Sequence, residues 1–308
     1  MMMMSMVDDG EQIEADTLLC CASCGIAEND DVKLMPCDDC DLVRYCGVAC
    51  QRDHKSEHEE ACKKREAELR DELLFKQPEC THLGDCPICM ISLPLDVSKY
   101  SLNGCCSKLI CDGCRYANKM REMEMRLQHK CPFCREPIPS TEEEVDKQTM
   151  KRVEANDPVA MVQQGGSHIM KGEYQSAFEY WTKAAELGHA DAHYQLSVMY
   201  YNGHGVEKDE RKQIYHYEEA AIIGHPRARF MLGDVERENE NYERAVKHFI
   251  IAAAQGDDES IKMLMDGFKK GFVEKDDLAV ALRAHQAAVD ATKSPQREKG
   301  EEFYRNMD

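Results

Sequence analysis

Ala177, Tyr180, Trp181, Ala184 and Ala185 fall at i, i+3, i+4, i+7 and i+8, which places one apolar stripe along one side of a helix. The stripe recurs. The stretches "YWTKAAELGHADAHYQL", "HYEEAAIIGHPRARFML" and "HFIIAAAQGDDESIKML" align Trp181 with Tyr217 and Phe249, Ala184 with Ala220 and Ala252, and Leu196 with Leu232 and Leu264. Tyr217 follows Trp181 by 36 residues and Phe249 follows Tyr217 by 32, so the period alternates. A period of this size predicts helix pairs that stack on their neighbours, the alanines allowing close approach and the aromatic filling the space between units. Gly188, Gly224 and Gly256 suit the left-handed residue that ends a helix. Asp209 is a candidate N-cap after the turn "YYNGHGVEKD". The repeats are expected over 156–292, with a fourth, looser copy ending near Ala288.

This pattern resembles Sel-one-like repeats, a tetratricopeptide-class family, in "GHADAHYQLSVMYYNGHGVEKD" and in the recurring Ala-Ala followed by Gly. The resemblance implies a curved all-α solenoid with a concave binding surface. His189, His193, His204 and His225 lie within the helical pattern and are expected to be packing or surface groups rather than metal ligands.

The front of the chain has a different character. All 17 cysteines lie between Cys20 and Cys134. Without a basic, apolar leader in "MMMMSMVDDGEQIE", a reducing compartment is expected, cytoplasmic or nuclear, where clustered cysteines hold metal more often than they form disulfides. No run of about 18 apolar residues occurs, so no membrane partner is expected. There are 58 acidic against 39 basic residues, a formal charge of -19, and no segregated basic patch, which argues against nucleic acid.

From Cys21 the order is Cys21-x2-Cys24-x12-Cys37-x2-Cys40-x5-Cys46-x3-Cys50-x7-His58-x3-Cys62, eight candidate ligands that would fill two tetrahedral zinc sites. Three residues between His58 and Cys62 put both on one helical face, a relation His54 lacks; Cys20 is the spare neighbour of Cys21. The spacing resembles the MYND zinc finger over 21–62. The resemblance implies interleaved sites, with Cys21, Cys24, Cys46 and Cys50 on one zinc and Cys37, Cys40, His58 and Cys62 on the other, and a role in binding protein partners or short peptides. Many members carry Trp where this chain has His54.

A second set runs Cys86-x2-Cys89-x15-Cys105-Cys106-x4-Cys111-x2-Cys114-x16-Cys131-x2-Cys134. Its "CPIC" and "CPFCR" resemble RING fingers, over 86–137, in an all-cysteine variant. By that family's cross-brace, Cys86, Cys89, Cys111 and Cys114 share a third zinc, and Cys105, Cys106, Cys131 and Cys134 a fourth, with His129 an alternative to Cys105. Four thiolates leave a formal charge of about -2 on each site, which needs nearby donors or cations, and Lys108 is the expected source at the fourth. Cys80 and His82 read as spare linker residues.

Closed four-ligand sites hold no position for substrate, so no catalytic residue is expected on the chain itself. RING fingers that act as ubiquitin ligases carry an apolar residue, a proline and a cation where this chain has Ile88, Pro132 and Arg135. The resemblance implies that Ile88 and Pro132 contact a ubiquitin-conjugating enzyme while Arg135 holds the conjugated ubiquitin in a reactive geometry.

The expected architecture is therefore multidomain: two small cross-brace zinc-binding modules, then the solenoid. Its segments are a disordered stretch 1–19, the first finger 20–62, a charged helical linker 63–85, the second finger 86–137, an acidic linker 138–155, the solenoid 156–292 and a tail 293–308. Two functions fit, a ubiquitin ligase that presents a protein substrate or a scaffold without enzymatic partnership. A methyltransferase fold has no room, and no phosphate loop or nucleophile elbow occurs.

Overall fold

A computed structural model describes residues 20–306, so the expectation for 1–19 lies outside the described residues. The chain divides into two compact units at Leu73 and Leu74.

In the first unit a two-residue strand β1 (Met35–Pro36) pairs antiparallel with β2 (Arg44–Tyr45), and a long helix α1 (Val48–Leu74) follows. Very little hydrocarbon is buried here. The core consists of Leu34 and Tyr45 among Cys21, Cys37, Cys40 and Cys62. Of the residues of α1 inside this unit, only His58 and Cys62 are buried. Arg65 ties the helix to the loop through two hydrogen bonds to the Asp41 carboxylate, 2.8 and 3.1 Å.

The second unit opens with the second finger. Strands β3 (Tyr100–Asn103) and β4 (Lys108–Cys111) form a hairpin in the register Tyr100 to Cys111, and α2 (Asp112–Glu124) follows directly. Leu93 and Ile110 supply the hydrocarbon among its cysteines. Helix α3 (Glu142–Glu154), capped by Thr141, occupies the acidic stretch and packs against the first repeat helix.

Eight further helices build the repeats: α4 (Pro158–Met170), α5 (Tyr174–Glu186), α6 (Ala190–Asn202), α7 (Glu210–Ile222), α8 (Pro226–Glu238), α9 (Tyr242–Ala254), α10 (Asp258–Lys269) and α11 (Lys275–Ala291). Successive helices pack in pairs, as the alternating period requires. Asp157, Asp209 and Asp257 cap α4, α7 and α10 with their carboxylates, and Gly188, Gly224 and Gly256 take positive φ at the ends of α5, α7 and α9. The aromatic column has a second half that the alignment did not expose. The Trp181 ring lies on Gly165 of α4 and the Phe249 ring on Gly233 of α8, so a large residue sits on a glycine across each of these helix pairs. Trp181 also donates its indole N–H to the Val162 carbonyl at 3.1 Å.

The tail is a helix as well. α12 (Pro295–Arg305) begins at the Ser294 cap and packs against α2.

Cys80 and His82, expected to be spare linker residues, pack with their neighbours against the repeats. Leu74 is buried among Tyr217, Ala221 and Leu232, and its carbonyl accepts from the buried Arg229 guanidinium. Phe75 packs on the His248 ring at 4.7 Å. The His82 backbone N–H donates to Gly224 O at 3.0 Å, and a Cβ at Gly224 would lie 2.7 Å from Cys80 O.

Two predictions follow from this packing. Gly233→Ala improves helix propensity by about 1 kcal/mol, yet its Cβ would lie 2.7 Å from the Phe249 ring. Overpacking of that kind costs about 1–3 kcal/mol, so chemical denaturation followed by helical circular dichroism should show a net loss of stability. His248 is fully buried, and burial, then the nearby Arg229 and Arg244, pulls its pKa from 6.5 down to about 3. The unfolded chain binds the proton first, so the stability held above pH 6.5 drains away as pH falls toward 3. Relative to wild type, His248→Leu should gain about 2 kcal/mol between pH 8 and pH 5 in paired urea titrations.

Candidate metal centres

Three turns of the same form begin the fingers' cysteine pairs. Gly25 N–H donates to Cys21 O, Met90 N–H to Cys86 O and Arg135 N–H to Cys131 O, at 2.9, 2.9 and 3.0 Å. The residue after the second cysteine is left-handed each time, with φ of 75° at Gly25, 55° at Met90 and 66° at Arg135. The turn is what points two sulfurs the same way, and in two of the three a residue with a side chain bears the unfavourable conformation.

The sequence places sixteen candidate ligands, and the fold collects them into four groups. They are Cys21, Cys24, Cys46, Cys50; Cys37, Cys40, His58, Cys62; Cys86, Cys89, Cys111, Cys114; and Cys105, Cys106, Cys131, Cys134, each with its ligand atoms within 4.8 Å of one another. A tetrahedral zinc with Zn–S bonds of about 2.3 Å has sulfur–sulfur edges of about 3.8 Å. The Sγ separations Cys24–Cys46, Cys37–Cys62, Cys89–Cys111 and Cys106–Cys131 are 3.6, 3.7, 3.8 and 3.9 Å. Sulfurs joined in a disulfide lie about 2.05 Å apart, and every cysteine here is free. The donor sets and their spacing therefore fit zinc.

Crowding sets the thiols against one another. Cys86 is held far below the ordinary thiol range by hydrogen bonds from Cys111 and Cys114, while Cys114 is pushed far above it by its bonds with Cys111 and Cys86. In the first finger burial raises Cys21, but the backbone N–H groups of Cys24 and Cys46 outweigh it and bring it to about 6. Cys46 is pushed up to about 12, first by its bond with Cys50 and then by Cys24. One thiolate with sulfhydryl donors around it is the arrangement without a cation; a divalent ion lets the others ionise.

The alternatives fall elsewhere. His54 Nδ1 meets the Tyr45 hydroxyl at 3.2 Å, whereas His58 Nε2 lies 3.1 Å from Cys40 Sγ. His129 Nδ1 pairs with the buried Glu122 carboxylate at 2.7 Å. The Lys108 side chain is exposed, and it is the backbone N–H of Lys108 that bonds Cys106.

Ile88 is 41% exposed, Pro132 is half-buried, and Arg135 is exposed with its guanidinium donating to Asn118 Oδ1 of α2 at 2.9 Å. Sequence reasoning missed Met90 and Phe133, 70% and 43% exposed, which stand on the same two turns.

A further cluster joins residues read as spare or as packing groups. His82 Nε2 and His225 Nε2 lie 3.1 and 3.2 Å from the same Asp191 oxygen, with their rings stacked at 4.2 Å. His225 Nδ1 accepts the Ala228 N–H that opens α8, so its proton sits on Nε2 and is donated to Asp191. The cluster is a hydrogen-bonded fastener. Burial raises the Asp191 carboxyl, but the bonds from His225 and His82 outweigh it and hold it well below its usual range.

Residues 21–62 match the MYND finger family, and residues 159–189, 190–225 and 227–257 each match the Sel1 repeat family. The chain carries a MYND finger and Sel1 repeats. The three matched repeats are the pairs α4–α5, α6–α7 and α8–α9. The mouse protein "DAP3-binding cell death enhancer 1" is 26% identical over 175 residues, covering 44% of this chain and 34% of that protein. The chain thus spans about a third of the length of that relative. Two solved structures are also similar. A Sel1 repeat protein from Oxalobacter formigenes is 26% identical with a TM-score of 0.43, over 58% of this chain and 72% of that one. The antigen c5321 of uropathogenic Escherichia coli, described as displaying an SLR fold, is 27% identical with a TM-score of 0.41, over 48% of this chain and 33% of that one.

The MYND finger implies zinc, and the four donor groups predict four ions per chain. Elemental analysis of the full-length protein should find about four zinc, with His58→Ala removing one and His54→Ala removing none. A structural zinc supplies about 10–16 kcal/mol of apparent folding free energy, so chelation should abolish the tertiary signal of both fingers.

Proposed function

We propose that this chain is a zinc-dependent protein-interaction scaffold whose second finger recruits a ubiquitin-conjugating enzyme while the repeats, the MYND finger or both hold a protein substrate. The observation that carries the ligase half of this reading is the apolar surface on two turns of the second finger. Ile88 and Met90 stand on one turn and Phe133 on the other, each more than 40% exposed. Exposed hydrocarbon on so small a module is a partner surface in waiting. Arg135, whose guanidinium donates to Asn118 Oδ1, is the residue to which this reading assigns the hold on a bound conjugate, by positioning alone.

Protein partners are further supported by the repeat architecture and by the name of the mouse relative, which describes it as DAP3-binding. Beside the candidate ligands Cys37, His58 and Cys62, a groove of about 570 Å³ is lined by Val48, Gln51 and Lys55 of the MYND finger and by Glu66 just beyond it, in this reading the seat for a peptide side chain. Scaffolding without enzymatic partnership is the second reading, supported by the MYND finger and the Sel1 repeats without any role for the second finger's surface.

Autoubiquitination by the full-length, zinc-loaded protein separates the two. The ligase reading expects ubiquitin chains with at least one conjugating enzyme, reduced at least tenfold in both Ile88→Ala and Arg135→Ala at unchanged zinc content. No chains across a broad enzyme panel leaves the scaffold.

A further inference from the structure

Arg297 is 4% exposed, and no carboxylate pairs with it among the described residues. Its guanidinium instead donates to three carbonyls, Ser92 O at 2.6 Å, Thr292 O at 2.7 Å and Ile91 O at 2.7 Å, and to Cys89 Sγ at 3.5 Å. A buried cation without a counter-charge is strongly destabilising. Four thiolates around Zn²⁺ would leave about -2 at the place this side chain reaches.

The rest of α12 is built to bring it there. Its approach to α2 is backbone to backbone: a Cβ at Gly113 would lie 2.8 Å from Arg297 Cα, and one at Gly300 would lie 2.7 Å from the Asp112 carbonyl. Next to Arg297, Gln296 donates to Gly113 O at 3.0 Å and reaches Cys114 Sγ at 3.8 Å. Beyond the crossing, Phe303 packs on Tyr116 at 5.1 Å and Arg115 lies 4.6 Å above the Tyr304 ring. Lys99 pairs with Glu301 at 3.2 Å.

We infer that Arg297 is the outer-shell charge partner of the metal centre formed by Cys86, Cys89, Cys111 and Cys114, so that metal occupancy there and docking of the C-terminal helix are one linked equilibrium. The inference rests on the zinc reading of that group. A four-sulfur metal centre beside the guanidinium gives it a counter-charge, and the docked guanidinium, 3.5 Å from Cys89 Sγ, in turn stabilises that centre and slows loss of the ion. By reciprocity each strengthens the other equally. The cation at the third centre thus comes from the far end of the chain.

The test uses the full-length protein loaded with zinc, a chromophoric chelator to time release of each equivalent, and hydrogen exchange over residues 295–305. Arg297→Gln should release one zinc at least tenfold faster than wild type and raise exchange in α12. Arg297→Lys, which keeps the charge and loses the fork, should fall between. Gly300→Val undocks α12 with Arg297 intact and should release the same single zinc faster. Release rates equal to wild type in all three variants would overturn the inference. An unchanged zinc content in Cys86→Ala would instead overturn the metal reading beneath it.

Discussion

Four sulfur-rich groups of candidate ligands stand in the two fingers where other small domains have hydrocarbon. In the first, Leu34 and Tyr45 are the only buried apolar side chains apart from the cysteines, and α1 is anchored by His58 and Cys62, one turn apart. Modules of about 50 residues cannot bury enough surface to offset their chain entropy unaided. The ion therefore organises the finger around itself: remove it, and the thiols that remain compete for protons at separations that only a shared cation justifies.

The repeats solve the same problem by ordinary packing, with an economy of their own. Alanines at 177, 184, 220, 221, 228, 245, 252 and 253 are almost wholly buried, and the aromatic rings lie over glycines, so the helices approach closely and the large residue fills the gap. Polar groups are then used where elements from different parts of the sequence meet. Arg229 reaches the Leu74 carbonyl, Asp191 gathers His82 and His225, and Gln255 donates to Gly224 O at 3.1 Å. Arg229 and Gln255 thereby satisfy backbone carbonyls that would otherwise be stranded, while Asp191 joins two side chains.

Local regularities were readable in the sequence. The spacing of His58 and Cys62, the pairs of cysteines two apart, the left-handed glycines and the Asp209 cap all express geometry confined to a few neighbouring residues. The other half of each contact was not readable. Nothing near Trp181 points to Gly165, and nothing near Cys89 points to Arg297, 208 residues away. "SPQREKG" has the composition of a solvated tail, and only the tertiary fold turns its one arginine inward. His82 and His225 looked unremarkable for the same reason, since helical periodicity explained one and a linker the other, and their meeting at Asp191 is a property of three elements.

The separation of Cys114 from Arg297 matters during synthesis, because a ribosome adding about 5–20 residues per second needs on the order of ten to forty seconds to cover the 182 residues between them. For that interval any ion bound by the nascent second finger would be held with the face that α12 will cover still open to solvent. Metal delivery and quality control in the cell would therefore meet a younger, leakier form of the finger than the finished chain presents.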